Sequence, residues 1–152
     1  MAAMNHYRRS MKILDVLRTK GTDVITVAPD ASVGELLGLL AEHRIGAVVV
    51  STGDGVVDGI VSERDIVRCI HSDGVAVLEG PVSAIMTADV HTCDEQTDLR
   101  ELATQMTERR IRHVPVVQEG KLVAIVSIGD VVKYRIRDLS AERDQLEAYI
   151  TQ

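Results

Sequence analysis

The sequence predicts an α/β (α+β) fold built from two copies of one β-α-β-β-α unit, with a further helix at the C-terminus. Three observations predict it. Gly59–Arg68, GIVSERDIVR, returns as Ala124–Lys133, AIVSIGDVVK, with Ser62 and Ser127, and Asp65 and Asp130, each 65 positions apart. Upstream of these stretches the apolar patterns also match, at an offset of 66. A chain of 152 residues with 45% hydrophobic content is enough for two small units only if they share a core, because half of it makes a marginal domain.

Residues 1–12 read as an adaptable arm whose Arg8, Arg9 and Lys12 offset part of the acidic excess. The first unit is placed at 13–75. Ile13 to Leu17 begins a short helix that Gly21 ends. Val24-Ile25-Thr26-Val27 is β-branched throughout and reads as a strand, turned at Pro29-Asp30. Ser32 and Glu35 form a capping box, and Val33, Leu36, Leu37 and Leu40 follow at helical spacing. Ile45 and Ala47–Val50 give a strand too apolar to be exposed on either face. A Gly53-Asp54-Gly55 turn leads through Val56-Val57 to the strand Gly59–Val61, then to Ser62-x-x-Asp65 and a helix carrying Ile66, Val67 and Ile70. The stretch from His71 to Ser83 holds Gly74, Gly80 and Pro81 without strong periodicity, so the boundary is placed inside it.

The second unit, 76–137, repeats these steps. Thr92 matches Thr26, Asp98 and Glu101 match the capping pair, and Leu99, Leu102, Ala103 and Met106 match the apolar stripe. The hairpin turn, now Glu119-Gly120, is one residue shorter, a change that a surface turn tolerates.

Ser-x-x-Asp has two readings. It is a capping box that stabilises a helix by about 1 kcal/mol. It is also a way to place a hydroxyl where free N–H groups and the macrodipole favour a phosphate, with a carboxylate one turn inside to accept ribose hydroxyls. Other chemistry is thinly supported. The five histidines lack metal-ligand spacing, Cys69 and Cys93 read as free thiols, and neither a Gly-x-Ser-x-Gly elbow nor a Gly-Lys-Ser/Thr loop occurs. A net charge of −6, no Trp, no Phe and three Tyr argue against nucleic acid as a partner. No run is apolar enough to span a membrane, and the start lacks the apolar core of a signal peptide, so a cytoplasmic location is expected.

The pattern of strand, capped helix, two strands and G-h-[VL]-[ST]-x-x-D, given twice, resembles a tandem pair of cystathionine-beta-synthase (CBS) domains, a Bateman module. The resemblance covers roughly Ile13 to Arg137. Arg112-His113-Val114-Pro115-Val116 followed by Ala124–Asp130 carries it most closely, and Ile85-Met86-Thr87 sits where a leader is common; Ala124 stands where Gly is usual. It implies two units about a pseudo-twofold axis with clefts for adenosine-containing ligands (AMP, ADP, ATP, NAD or S-adenosylmethionine). It implies that Asp65 and Asp130 hold ribose and that Ser62 and Ser127 approach phosphate. Thr26, Thr92, Ala47 and Pro115 would border adenine, and Arg64, Arg112 and His113 would meet phosphates.

At matched positions the cations trade places: Arg64 answers to Gly129, whereas Arg112 and His113 answer to Gly46 and Ala47. The pseudo-twofold axis is therefore expected to gather them at one cleft, better suited to a polyphosphate. Arg109 and Arg110 read instead as a solvated helix face. In the last segment, 138–152, Leu139, Leu146 and Ile150 continue a 3-4 spacing from Ile136 that Arg143 interrupts. That reads as a helix docked on a partner subunit or on its own module, with a solvated terminal helix as the alternative. The resulting expectation is a regulatory nucleotide sensor without catalysis or catalytic cofactor, a homodimer acting on an unnamed partner protein. The alternatives are a structural dimer with vestigial clefts and a cryptic nucleotide hydrolase.

Overall fold

A computed structural model describes residues 10–151, so nine residues of the expected N-terminal arm lie outside the described residues. Helix α1 (Ile13–Lys20) stops at Gly21, whose φ of 92° disfavours a side chain and whose N–H donates to the Leu17 carbonyl. Strand β1 (Thr26–Val27) is shorter than the β-branched run that predicts it, because only these two residues pair with the next strand. Helix α2 (Val33–His43) opens on the reciprocal Ser32–Glu35 box. Strand β2 (Ala47–Val50), buried at every position, lies between β1, which is parallel to it, and the antiparallel β3 (Gly59–Ser62). Helix α3 (Glu63–Asp73) follows β3 without a loop.

In the second unit α4 (Leu99–Arg109) is capped by Asp98, which accepts from Arg100 N at 2.8 Å. Glu101 does not close a reciprocal box; it accepts from Gln105 Nε2 one turn on. Strands β4 (His113–Gln118) and β5 (Lys121–Ser127) form a hairpin across Glu119-Gly120, both at positive φ as a two-residue turn requires. The counterpart of β1 is reduced to Cys93, bridged to Val116. Helix α5 (Ile128–Ile150) runs on for 23 residues, so the last helix of the repeat and the expected C-terminal helix are one element.

The two units do not share the one core that their small size predicts: each has its own, and each is completed by the segment that leads into the other. Ile13, Val16 and Leu17 of α1 are buried with Leu99, Leu102, Met106, Val114 and Val126 of the second unit. Val82, from the short 3₁₀ turn Val82–Ala84 in the linker, is buried with Val33, Leu36, Val48 and Val61 of the first. The backbone bonds reciprocate. Ile13 N donates to Thr97 O and Leu99 N to Met11 O (3.0 and 2.9 Å), as Val82 N donates to Ala31 O and Val33 N to Gly80 O (2.8 and 3.0 Å). This exchange expresses the pseudo-twofold relation, and it makes the linker a packed element.

Candidate functional site

Where β3 passes into α3, Asp65 Oδ2 accepts from Ser62 N at 2.8 Å and Ser62 Oγ at 3.0 Å, and Ser62 Oγ accepts from Asp65 N at 3.3 Å. The matching distances for Ser127 and Asp130 are 2.9, 2.9 and 3.2 Å. Both motifs are therefore capping boxes; their surroundings separate them.

The Ser62–Asp65 box borders a cavity of about 540 Å³ between the units. The first unit contributes Ala47, Arg64 and Arg68, the second contributes Arg109 to His113, and Thr87, Asp89, Val90 and His91 also line it. Five arginines, at 64, 68, 109, 110 and 112, line it against the carboxylates of Glu63, Asp65 and Asp89. Among the described residues none of the five makes an ion pair. In a chain of net charge −6, five arginines against three carboxylates leave an excess of positive charge at one place, in the side chain whose planar fork suits phosphate.

Of the residues predicted for the site, Ala47, Ser62, Arg64, Asp65, Arg112 and His113 come together here. Arg109 and Arg110 are exposed as expected of a helix face, but toward the cavity. Arg110 takes the left-handed C-cap conformation, φ 55°, and this reversal sets residues 109–113 along the cavity edge. Their repeat counterparts His43 and Arg44, the latter at φ 54°, end α2 in the same way, and that match was the signal available in the sequence. Thr26 and Thr92 are exposed and Pro115 is buried within β4; none of the three lines this cavity, nor do Ser127 and Asp130.

His113 is half-buried, and its charge differs from the expectation. Burial first, then the cations Lys20 and Arg112, lower its pKa below 6.5 against the opposing pull of Glu63 and Asp130. At neutral pH it offers a neutral imidazole rather than a cation. Burial alone would raise the Asp130 carboxyl, but hydrogen bonds and charge from Lys20, together with Ser127, outweigh it and hold the pKa below the usual value. Burial, then Asp94, pushes the Cys93 thiol up to about 12, which leaves it unreactive. Among the described residues no cluster of His, Cys, Asp and Glu could hold a metal ion, and no helix is long and apolar enough to cross a membrane.

Fold and site define a class: a duplicated α/β module whose halves complete each other's cores and enclose an arginine-lined cleft. The family model of the CBS domain matches residues 14–72 and 82–137, and the chain belongs to the CBS domain family as a tandem pair. The crystal structure of a CBS-domain containing protein from Agrobacterium tumefaciens is 49% identical, with a TM-score of 0.80 over 82% of this chain and 99% of that one. A mitochondrial CBS domain-containing protein of Arabidopsis thaliana is 33% identical over 149 residues, 93% of this chain and 72% of that protein. The CBS domain pair of protein MJ0100, crystallised in complex with 5′-methylthioadenosine and S-adenosyl-L-methionine, is 25% identical with a TM-score of 0.73, over 82% of this chain and 98% of that one.

Proposed function

We propose that this chain is a regulatory module that binds an adenosine-containing ligand in the cavity beside Ser62 and Asp65 and carries out no chemistry on it. The observation that carries this reading is the set of five arginines, without an ion pair among the described residues, around a Ser-x-x-Asp box. Asp65 Oδ1 makes no hydrogen bond among the described residues and is available to ribose hydroxyls. Ser62 and the N-terminus of α3 favour the first phosphate, and Arg64, Arg110 and Arg112 favour those beyond it. The arginine count favours ADP and ATP over AMP, and disfavours the sulfonium of S-adenosylmethionine. The MJ0100 pair, which holds two adenosine compounds, supports the ligand class.

Calorimetric titration with ATP, ADP, AMP, NAD and S-adenosylmethionine tests this reading. Affinity is expected to fall from ATP to AMP, and Asp65→Ala is expected to lose about 1.5 to 3 kcal/mol, the worth of hydrogen bonds to a charged acceptor. Nucleotide turnover with Mg²⁺ would make the protein a hydrolase instead. Ligand binding shifts a partner only through differential affinity for two arrangements of the module.

The homodimer reading has its own support: Val132, Ile136, Leu139, Leu146 and Ile150 are all exposed on α5. They form a 4-3-7-4 seam, the spacing of a helix-pairing face. Sedimentation of the chain truncated after Arg137 is expected to show a monomer where the full chain shows a dimer.

A further inference from the structure

The second Ser-x-x-Asp motif is engaged from within the chain. Lys20, the last residue of α1, sends its Nζ to Asp130 Oδ2 and, at 2.7 Å, to the Ile125 carbonyl. Asp130 and Ile125 are the repeat counterparts of Asp65 and Ile60. In the first cleft the same two positions are engaged differently. Ile60 exchanges backbone hydrogen bonds with Thr87, 2.9 Å in each direction, and among the described residues Asp65 has no cationic partner.

The difference traces to the lengths of the two leaders. Ile13, Val16 and Leu17 answer to Val82, Ile85 and Met86 at an offset of 69, whereas from Thr26 onward the offset is 66. Three additional residues therefore lengthen the first leader, and the extra turn ends on a lysine placed at the motif carboxylate. The strand residue beside it agrees. A Cβ at Gly59 would fall 2.6 Å from Met86 Sδ and 2.9 Å from the Thr87 carbonyl, so the second leader's backbone permits only glycine there. Its counterpart Ala124 does carry a Cβ, and among the described residues no leader backbone bridges to Ile125.

We propose that Lys20 is the resident occupant of the second cleft. It holds the carboxylate that ribose hydroxyls would need, and so limits the chain to one nucleotide, in the first cleft. This rests on the nucleotide reading above. Lys20 bonds Oδ2 of Asp130, the oxygen that also caps the helix, and a tethered ammonium making a charge-assisted bond and a carbonyl contact outcompetes two neutral hydroxyls for a place at that carboxylate.

Calorimetric titration with ATP and with AMP tests it on four full-length proteins: wild type, Lys20→Met, Lys20→Arg, and Lys20→Met combined with Asp130→Ala. One site per chain is expected in wild type and in Lys20→Arg, which keeps the cation. Two are expected in Lys20→Met, and one again in the double variant. Two sites in wild type, or an unchanged single site in a Lys20→Met protein whose melting remains cooperative, overturns the proposal. If wild type binds nothing while Lys20→Met gains a site that Asp130→Ala removes, Lys20 has the stated role and the first-cleft reading fails. Absence of binding in all four proteins overturns both.

Discussion

Removing one arginine from a cluster of five tests which of them face a ligand. Arg64→Ala and Arg112→Ala, one from each unit, are expected to weaken ATP by about 1.5 to 3 kcal/mol each. Adenosine, which has no phosphate to lose, should bind all variants alike. Titrations that leave ATP unchanged in both variants would make the arginines a solvated surface after all. His113 allows a sharper test because its charge is set by its surroundings. Its folded pKa lies below 6.5, so it binds fewer protons folded than unfolded as pH falls through 6.5. Its contribution to stability is therefore complete above 6.5 and is lost as pH falls toward the folded value. A polyphosphate beside the ring would raise that value, coupling binding to proton uptake. ATP affinity should then rise from about pH 7.5 to about pH 6, and His113→Gln should flatten the rise. This charge was not legible in sequence. A histidine next to an arginine reads as basic until burial and the distant Lys20 are known, whereas Ser62, Asp65, Arg64 and Arg112 could be placed from the repeat alone.

At the scale of elements, what could be read was whatever local chemistry dictates. The Ser32–Glu35 box, the apolar stripes of α2 and α4 and the positive-φ turn at Glu119-Gly120 all follow from spacings within a few residues. The exchange of leaders did not, for a physical reason. A turn of three residues, Val82–Ala84, is too short to show helical periodicity, and the three-residue difference in leader length shifts it out of register with α1. The capping match of Asp98 and Glu101 was half right, since Asp98 caps and Glu101 turns to Gln105. The exchange also explains why glycine stands at position 59. Gly59→Ala would press its methyl against Met86 Sδ and the Thr87 carbonyl, and backbone cannot yield as a side-chain tip can. A loss of about 1 to 3 kcal/mol is expected in chemical denaturation. Gly129→Ala, which would meet only Ser127 Oγ at 3.6 Å, should cost less. Equal costs would mean that the leader does not press on β3.

At the scale of the whole molecule, reciprocal completion of the cores makes the two units one thermodynamic body. Neither retains its buried set without a segment from the other: Val82 completes one, and Ile13, Val16 and Leu17 the other. Thermal unfolding is therefore expected as a single transition, although the sequence contains the unit twice. A ligand bound only in the first cleft should then stabilise both halves. At a hundredfold excess over its dissociation constant it adds about 2.7 kcal/mol, which at about 2 to 4 °C per kcal/mol raises the midpoint of the one transition by roughly 5 to 11 °C. The two motif aspartates should divide in this assay as they do in the structure. Asp65→Ala removes a carboxylate with an open oxygen beside the arginines, and should abolish most of the ATP-induced shift. Asp130→Ala removes the partner of Lys20, and should lower the ligand-free midpoint while leaving the shift nearly intact. Two resolved transitions, with ATP moving only one, would show that the exchanged leaders do not couple the halves. A shift lost equally in both aspartate variants would assign the nucleotide to both clefts.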